Sequence, residues 1–138
     1  MDLGERKFFN PMEQIKCLFC DIFSKKEGIL LESEYFFTRA DEHPVNKGHT
    51  LIIPKRHQTD IFALNAEEWN DLFAVIQNTK ERLDKEFEPD GYNLGVNCGE
   101  AAGQTVFHLH IHVIPRYKGD VEKPRGGIRN FKKPSVEY

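Results

Sequence analysis

The stretch Val106-Phe107-His108-Leu109-His110-Ile111-His112-Val113-Ile114 alternates imidazole side chains with apolar ones. Successive side chains of a β-strand point to opposite faces, so the alternation predicts a strand over residues 106–114 with imidazoles on one face only. Neighbours on one face lie about 7 Å apart, which lets three rings line one ligand. A single strand histidine is usually an ordinary hydrogen-bonded or exposed residue. Three in alternation favour function, because imidazole acts near neutral pH as nucleophile, acid, base or metal ligand.

Two helices are predicted from local patterns. Apolar residues at helical spacing predict a short helix over residues 17–25. Asn65, followed three residues later by Glu68, predicts a capping box that starts a long helix over residues 66–87. Its apolar stripe is expected to be a core face, because such stripes pack far more often than they bind cofactors. The stripe consists of Trp69, Leu72, Phe73, Ile76, Leu83 and Phe87.

Further strands complete the predicted fold. Short runs rich in aliphatic, aromatic and β-branched residues are bounded by turn residues, which is typical of strands. These runs cover residues 29–31, 35–40, 50–54 and 92–97. Strands and helices in this order predict an α+β domain.

Length and composition limit the function. The 138 residues fit one domain over residues 1–138. Lysine and arginine total 19 against 22 aspartates and glutamates, so the net charge of −3 offers no field that attracts a nucleic acid. We expect no membrane span, because the apolar runs are far too short. Residues 117–138 form a tail rich in Lys, Arg, Gly and Pro, which we expect to be mobile or partner-dependent.

The cysteines indicate a metal site and a reducing compartment. Cys17 and Cys20 have the two-residue gap that chelates zinc, although a redox pair or two unliganded thiols also fit it. A tetrahedral site needs two more ligands, and His49 and His108 lie near predicted strand starts from which they could reach it. Cys98 is interpreted as structural. Three cysteines, with no export signal in residues 1–14, favour a cytoplasmic protein.

Residues 99–105, just before the histidine strand, form a candidate phosphate loop. Small side chains let backbone amides approach an anion, and Gln104 and Thr105 add polar groups. A plain turn explains the glycines equally well.

Together these features resemble a known family. Residues 103–116 (GQTVFHLHIHVIPR) and 48–57 (GHTLIIPKRH), with the pair Cys17 and Cys20, resemble the signature of histidine-triad (HIT) proteins of the bacterial type. The resemblance covers about residues 15–117. Residues 125–129 (RGGIR) resemble one subset of the family more weakly, and no function is taken from them.

The resemblance implies both a fold and a reaction. The fold would be an antiparallel sheet of about five strands with one long helix and a short N-terminal helix, paired as a homodimer. The reaction would be hydrolysis of nucleotide phosphoanhydrides or phosphoramidates. His110 would attack the α-phosphorus and carry a nucleotidyl group that water then cleaves, while His112 would contact the phosphate and assist the leaving group. In zinc-bearing relatives the ligands correspond to Cys17, Cys20, His49 and His108, and this structural zinc would hold the first helix against the sheet.

Other positions match the nucleotide site of the family. Asp41 matches an acid that binds the ribose hydroxyls, and Leu18 and Ile22 match an apolar base pocket. Arg39 departs from the family, which usually has an apolar residue against the base there. A guanidinium at this place can stack on a base or attract a distal phosphate. In the family, some positions bind the phosphate oxygens or lie on the side of the leaving group. These positions correspond to Asn97, Gln104 and Thr105.

A nucleotide hydrolase is the leading hypothesis, and alternatives stay open. A nucleotidyl transferase would pass the same intermediate to another phosphate. A nucleotide-binding regulatory protein would keep the fold with incidental catalysis, which the intact histidine trio argues against. A zinc-stabilised nucleic-acid module is disfavoured by the acidic charge balance.

Overall fold

The computed structural model describes residues 17–131, so the expectations for residues 1–14 and 132–138 lie outside the described residues. The helices in this range are α1 (Leu18–Lys25) and α2 (Ala66–Phe87). The strands are β1 (Ile29–Glu32), β2 (Phe36–Ala40), β3 (Thr50–Pro54), β4 (Gly91–Val96) and β5 (Ile111–Arg116). Short 3-10 segments lie at Ile61–Ala63, Glu100–Ala102 and Gly127–Phe131.

The five strands form one antiparallel sheet in the order β1-β2-β3-β5-β4, which confirms the α+β prediction. Helix α2 packs on one face, over core side chains of the strands that include Phe36, Ile52 and Val113. Helix α1 packs on the other face, where Phe19 and Ile22 meet side chains of β2 and β3. Strand β3 is buried along its whole length, because both of its faces are covered. Neither of the described helices is long and apolar enough to cross a membrane.

Helix α2 begins where the sequence predicts, but its buried face differs from the predicted one. The Asn65 side chain accepts a hydrogen bond from the Glu68 N–H, and the Glu68 carboxylate accepts one from the Asn65 N–H. Trp69 and Phe73 are exposed, so the prediction is wrong for these two residues. They lie one position beyond the row that faces the sheet. That row is Glu68, Leu72, Val75, Thr79 and Leu83, with Ile76 and Phe87 partly buried beside it.

Strand β5 begins at Ile111, so the prediction of a strand from residue 106 is wrong and only His112 of the three histidines lies in a strand. Strand β4 ends at Val96, opposite Ile111, and the ladder between the two strands ends there. Further back, the Leu109 N–H donates instead to the Gln58 carbonyl at 2.6 Å. The loop after β3 therefore takes the place of a strand partner for the residues around His108 and His110.

The chain after β5 contacts the sheet as far as the structure describes it, and a mobile or partner-dependent tail over residues 117–138 stays a prediction. Arg116 donates to both carboxylate oxygens of Asp120 at 2.8 Å. Asp120 also accepts from the side-chain amide of Asn46 at 2.8 Å. Beyond these contacts, the 3-10 segment Gly127–Phe131 lies against β4.

Candidate active site and metal centre

His110 lies just before β5 with its tautomer fixed by the backbone. Its Nδ1 is 2.9 Å from the carbonyl oxygen of His108, so Nδ1–H donates and Nε2 keeps the lone pair. The ring of Phe19 packs edge-on against the imidazole, with 5.1 Å between the centroids. His110 is partly exposed. An oriented imidazole with an available Nε2 lone pair can act as a nucleophile.

His112 takes part in a second arrangement, the hydrogen-bonded cluster of Asp41, His49 and His112. The Val45 N–H donates to Nδ1 of His49 at 3.0 Å, so the His49 proton is on Nε2. That Nε2 is 2.9 Å from Nδ1 of His112 and 3.3 Å from Oδ2 of Asp41. His112 therefore accepts at Nδ1 and carries its own proton on Nε2. The cluster gives His112 an N–H with which to meet a phosphate or a leaving group.

Burial keeps these two imidazoles neutral. Burial, followed by the neighbouring His110 and His49, lowers the pKa of His112 to about 4, against a smaller opposing effect of Asp41. Burial also lowers the pKa of His49, again opposed by Asp41. At neutral pH both rings are thus uncharged. This agrees with the hydrogen bonds described above, in which each imidazole carries one proton, on Nε2.

A second group of side chains, the thiol-imidazole cluster, consists of Cys17, Cys20, His57 and His108. Their ligand atoms all lie within 4.8 Å of one another. His108 is fully buried and its Nε2 lies 2.9 Å from the Pro54 carbonyl, so Nε2–H donates there and Nδ1 faces the sulfurs. This is the usual arrangement of a metal-binding histidine, whose second nitrogen is held by a backbone carbonyl.

The spacing of the donor atoms fits a tetrahedral zinc ion. The usual zinc–sulfur and zinc–nitrogen bond lengths give a tetrahedron with sulfur–nitrogen edges of about 3.5 Å. Nδ1 of His108 is 3.4 Å from Cys17 Sγ and 3.5 Å from Cys20 Sγ, and Nδ1 of His57 is 3.4 Å from Cys20 Sγ. Burial, followed by the neighbouring Cys17, raises the pKa of the Cys20 thiol to about 12. Two thiolates at this place therefore need a cation beside them.

The structure brings together three of the four predicted metal ligands. Cys17, Cys20 and His108 come together as predicted, but His49 lies in the hydrogen-bonded cluster and uses its Nε2 as a donor. The fourth side chain of the thiol-imidazole cluster is His57, which was not predicted from the sequence. His57 follows β3 by three residues, and the chain turns back toward α1 there. The sequence did contain a signal for His57, because it is the second histidine of residues 48–57 and follows Pro54 closely.

Residues predicted to bind the nucleotide lie on the same face as α1. Arg39 of β2 pairs with Leu51 of β3, which pairs with His112 of β5, so the three side chains form one row across the sheet. The Arg39 guanidinium donates to the Glu27 carbonyl at 3.3 Å and to Glu42 at 3.1 Å. These contacts fix it near the turn between α1 and β1.

The two predicted base-pocket residues of α1 differ in exposure. Leu18 is half exposed and is accessible to a ligand. Ile22 is buried in the core between α1 and the sheet, so most of its surface is used in packing. Asp41 lies two residues after Arg39, with Oδ1 accepting from the His43 N–H at 2.8 Å.

The loop between β4 and β5 is closed by its own glutamine. Gln104 is buried, and its Oε1 accepts from the Gly99 N–H at 2.8 Å. Its Nε2 lies 3.2 Å from the Val106 carbonyl and 3.3 Å from the Thr59 carbonyl. Gln104, which was predicted to hold phosphate oxygens, therefore hydrogen-bonds to the backbone and stabilises the loop. Asn97 and Thr105 are exposed at the two ends of the same loop.

An ion pair anchors the loop that carries His57. Glu68 is buried, and its carboxylate accepts from Arg56 at 2.6 and 2.9 Å. This hydrogen bonding is the main reason why the pKa of Glu68 is lowered, with burial opposing it. The sequence pattern predicts Glu68 only as part of the helix cap, and its contact with Arg56 was not predicted.

Known proteins of one family are similar to this chain. A family model described as the HIT domain matches residues 23–119. The crystal structure of a HIT family protein from Bacillus anthracis is 43% identical, with a TM-score of 0.71, and covers 78% of this chain and 82% of that chain. A Zn-bound histidine triad family protein from Mycobacterium smegmatis is 38% identical, with a TM-score of 0.70, covering 77% and 78%. A bis(5'-adenosyl)-triphosphatase of Dictyostelium discoideum is 38% identical over 98 residues, which are 71% of this chain and 66% of that protein.

Proposed function

Because the chain belongs to the HIT family, we propose that it is a phosphohydrolase that cleaves dinucleoside polyphosphates or nucleoside phosphoramidates through a nucleotidyl group on His110. One observation carries the proposal: the backbone leaves the Nε2 lone pair of His110 available, and the ring of His112, with its proton on Nε2, lies 5.3 Å away between centroids. A nucleophile next to a neutral hydrogen-bond donor suits displacement at phosphorus. The triphosphatase among the relatives supports a nucleotide substrate.

The proposed reaction has two displacements. In the first, Nε2 of His110 forms a bond to the α-phosphorus, and the bond to the leaving group breaks with its electron pair on that group. His110 becomes a cation whose Nδ1–H is held by the His108 carbonyl. In the second, water forms a new P–O bond, the P–N bond breaks, the electron pair returns to Nε2 and the proton of water passes to solvent. His112 hydrogen-bonds to the phosphate or the departing atom in both steps.

Nucleotide binding is proposed for the row of side chains beside the histidines. Asp41 is proposed to accept hydrogen bonds from the ribose hydroxyls, since a carboxylate has lone pairs beyond those used by His43 and His49. Arg39 is proposed to contact the base or a distal phosphate, and Leu18, with the edge of Ile22, to contact the base. The exposed loop residues Asn97 and Thr105 are proposed to hold phosphate oxygens.

We propose that Cys17, Cys20, His57 and His108 hold one structural zinc ion. The donor types, their spacing and the Zn-bound relative support this assignment. Zinc would join α1 to the loop after β3 and would fix His108, whose carbonyl orients His110. Its contribution is therefore to stability and geometry rather than to bond cleavage.

A homodimer in the cytoplasm is also proposed. Leu94 on the edge strand β4 and Trp69 and Phe73 on α2 are exposed, although such side chains are usually buried. Free cysteines are typical of a reducing compartment. Sedimentation of the purified protein should give twice the chain mass, and Phe73→Asp should shift it toward the monomer. A wild-type monomer at all concentrations would contradict the dimer.

The function is tested by incubating purified protein with a panel of dinucleoside polyphosphates and nucleoside phosphoramidates. We expect release of a nucleoside monophosphate into water. Rapid acid-free quenching and peptide mass analysis should find a nucleotidyl group on the peptide that contains His110. Turnover without such an adduct would contradict the covalent intermediate on His110, and transfer of the nucleotide only to an added phosphate acceptor would contradict hydrolysis.

A further inference from the structure

The sheet face that carries the histidines is covered in two separate places. Helix α1 covers β2 and β3, where Phe19 packs on Phe37 and Leu51. The 3-10 segment Gly127–Phe131 lies against β4 at the opposite edge. Strand β5, which carries His112, runs between these two elements. His112 is therefore on the floor of a groove that has α1 on one side and the 3-10 segment on the other.

The register of the strands places the 3-10 segment next to His112. His112 pairs with Leu51 on one side and with Gly95 of β4 on the other, so the row across the sheet ends at a glycine. A Cβ on Gly95 would lie 3.5 Å from Cδ1 of Ile128. Neighbouring strands are about 4.8 Å apart, so Ile128 lies above the backbone one strand away from His112.

Ile128 has one side against the sheet and one side in solvent. It packs over Gly95, yet 56% of the residue is exposed. The strand below is held by Arg116, which donates to Asn93 at 2.6 Å and to Asp120 of the tail at 2.8 Å. An exposed branched aliphatic side chain and a bare glycine backbone form a small apolar surface at this edge of the groove.

The proposed reaction determines what reaches this surface. The transferred nucleotide has its ribose and base on the β2 side, at Asp41 and Arg39, and its phosphorus at His110. In a displacement at phosphorus the leaving group departs on the side opposite to the attacking atom. With the β2 side filled by the transferred nucleoside, a long leaving group extends across β5 toward β4.

We propose that the segment Gly127–Phe131 forms the outer wall of a leaving-group subsite, and that Ile128 is a specificity-determining residue that contacts a second nucleoside there. This inference rests on the proposed function and concerns its dinucleoside polyphosphate substrates, whose leaving group is long enough to reach the segment. The flat apolar surface suits a nucleobase, which gains by covering the exposed face of Ile128. A leaving group as small as ammonia does not extend that far.

Two substrates that transfer the same adenylyl group test the subsite. Diadenosine triphosphate loses ADP, whereas adenosine 5'-phosphoramidate loses ammonia. Ile128→Ala should lower kcat/KM for diadenosine triphosphate about tenfold, the effect of losing one aliphatic contact, and should leave the phosphoramidate within about twofold. Val121→Ala, which shortens another exposed aliphatic side chain of the tail, should change neither value.

Gly95→Val provides a second variant in which Ile128 is intact. The added methyl groups crowd Ile128 over the sheet, so the same selective loss with diadenosine triphosphate is expected. Equal losses with both substrates, or no loss with either, would overturn the subsite while the hydrolase function stands. If the wild-type protein hydrolyses neither substrate, the proposed function falls and the subsite falls with it.

Discussion

The two clusters beside His110 use imidazole in opposite ways. In the thiol-imidazole cluster, His108 donates through Nε2 to the Pro54 carbonyl and turns Nδ1 toward the sulfurs. In the hydrogen-bonded cluster, His49 accepts at Nδ1 from the Val45 N–H and donates through Nε2 to His112. The backbone partner thus decides whether an imidazole offers a lone pair to a cation or a proton to a neighbour.

The largest effect is expected at His110, which lies between the clusters. His110→Ala removes the nucleophile, so turnover should fall by roughly 10³-fold or more. Nucleotide affinity should be retained, because it comes from base, ribose and phosphate contacts. Steady-state kinetics and equilibrium binding measure the two effects, with His43→Ala as a control at an exposed histidine. Wild-type turnover by His110→Ala would exclude the covalent mechanism.

The hydrogen-bonded cluster should affect rate in a graded way. His112→Ala should slow turnover by about 10²–10⁴-fold, the usual contribution of assistance to a leaving group. His49→Ala should slow it less, because His49 acts by orienting its neighbours His112 and Asp41. Because His112 is also proposed to contact the phosphate, His112→Ala should change KM as well as kcat. His49→Ala should leave KM unchanged. An unchanged kcat in His49→Ala would show that the contact between the two imidazoles is only structural.

A smaller effect is expected at the ribose. Asp41→Ala should weaken ribonucleotide binding by about 1.5–3 kcal/mol, the value for a hydrogen bond to a charged group, and a 2'-deoxy substrate should lose much of the same energy in wild type. Arg39→Leu should instead reorder preference among bases and chain lengths while activity remains. The measurement is kcat/KM for matched substrates. Equal values for ribo and deoxy substrates in wild type would remove Asp41 from the ribose site.

The smallest effect concerns the support of the thiol-imidazole cluster. Glu68→Gln keeps the helix cap but loses the charge that pairs with Arg56, so stability should fall by about 1 kcal/mol, since Arg56 is half exposed. The folded pKa of Glu68 lies below its unfolded value. The pair's contribution is therefore complete above the unfolded value of about 4.3 and is lost as the pH falls through the folded pKa. Denaturant melts should show a smaller difference in stability between the two proteins at pH 3 than at pH 7; an equal difference at both pH values would contradict the ion pair.

Features that depend on neighbours in sequence were predicted well. The capping box of Asn65 and Glu68 joins residues three apart, and its helix has the predicted bounds. Strand β3 also has its predicted bounds, because a short run of β-branched and aliphatic residues needs no distant partner to be identified.

Features that depend on distant partners were predicted less well. Alternation around His110 suggested a longer strand, but a strand needs a ladder, and β4 ends opposite Ile111. Which histidine reaches the thiols depends on the turn after Pro54, and the spacing of His49 and His57 does not reveal that turn. The Gln104 side chain hydrogen-bonds to the backbone of its own loop, and this contact depends on the folded conformation of that loop.

The division between the two clusters is tested most directly by metal content. Elemental analysis of the wild type, His57→Ala and His49→Ala, each purified without chelator, should find about one zinc per chain in the wild type and in His49→Ala. His57→Ala should lose most of its zinc and melt at a lower temperature, because three donors hold the ion less tightly. Zinc lost from His49→Ala and kept in His57→Ala would contradict the assignment of His57 to the metal and of His49 to His112.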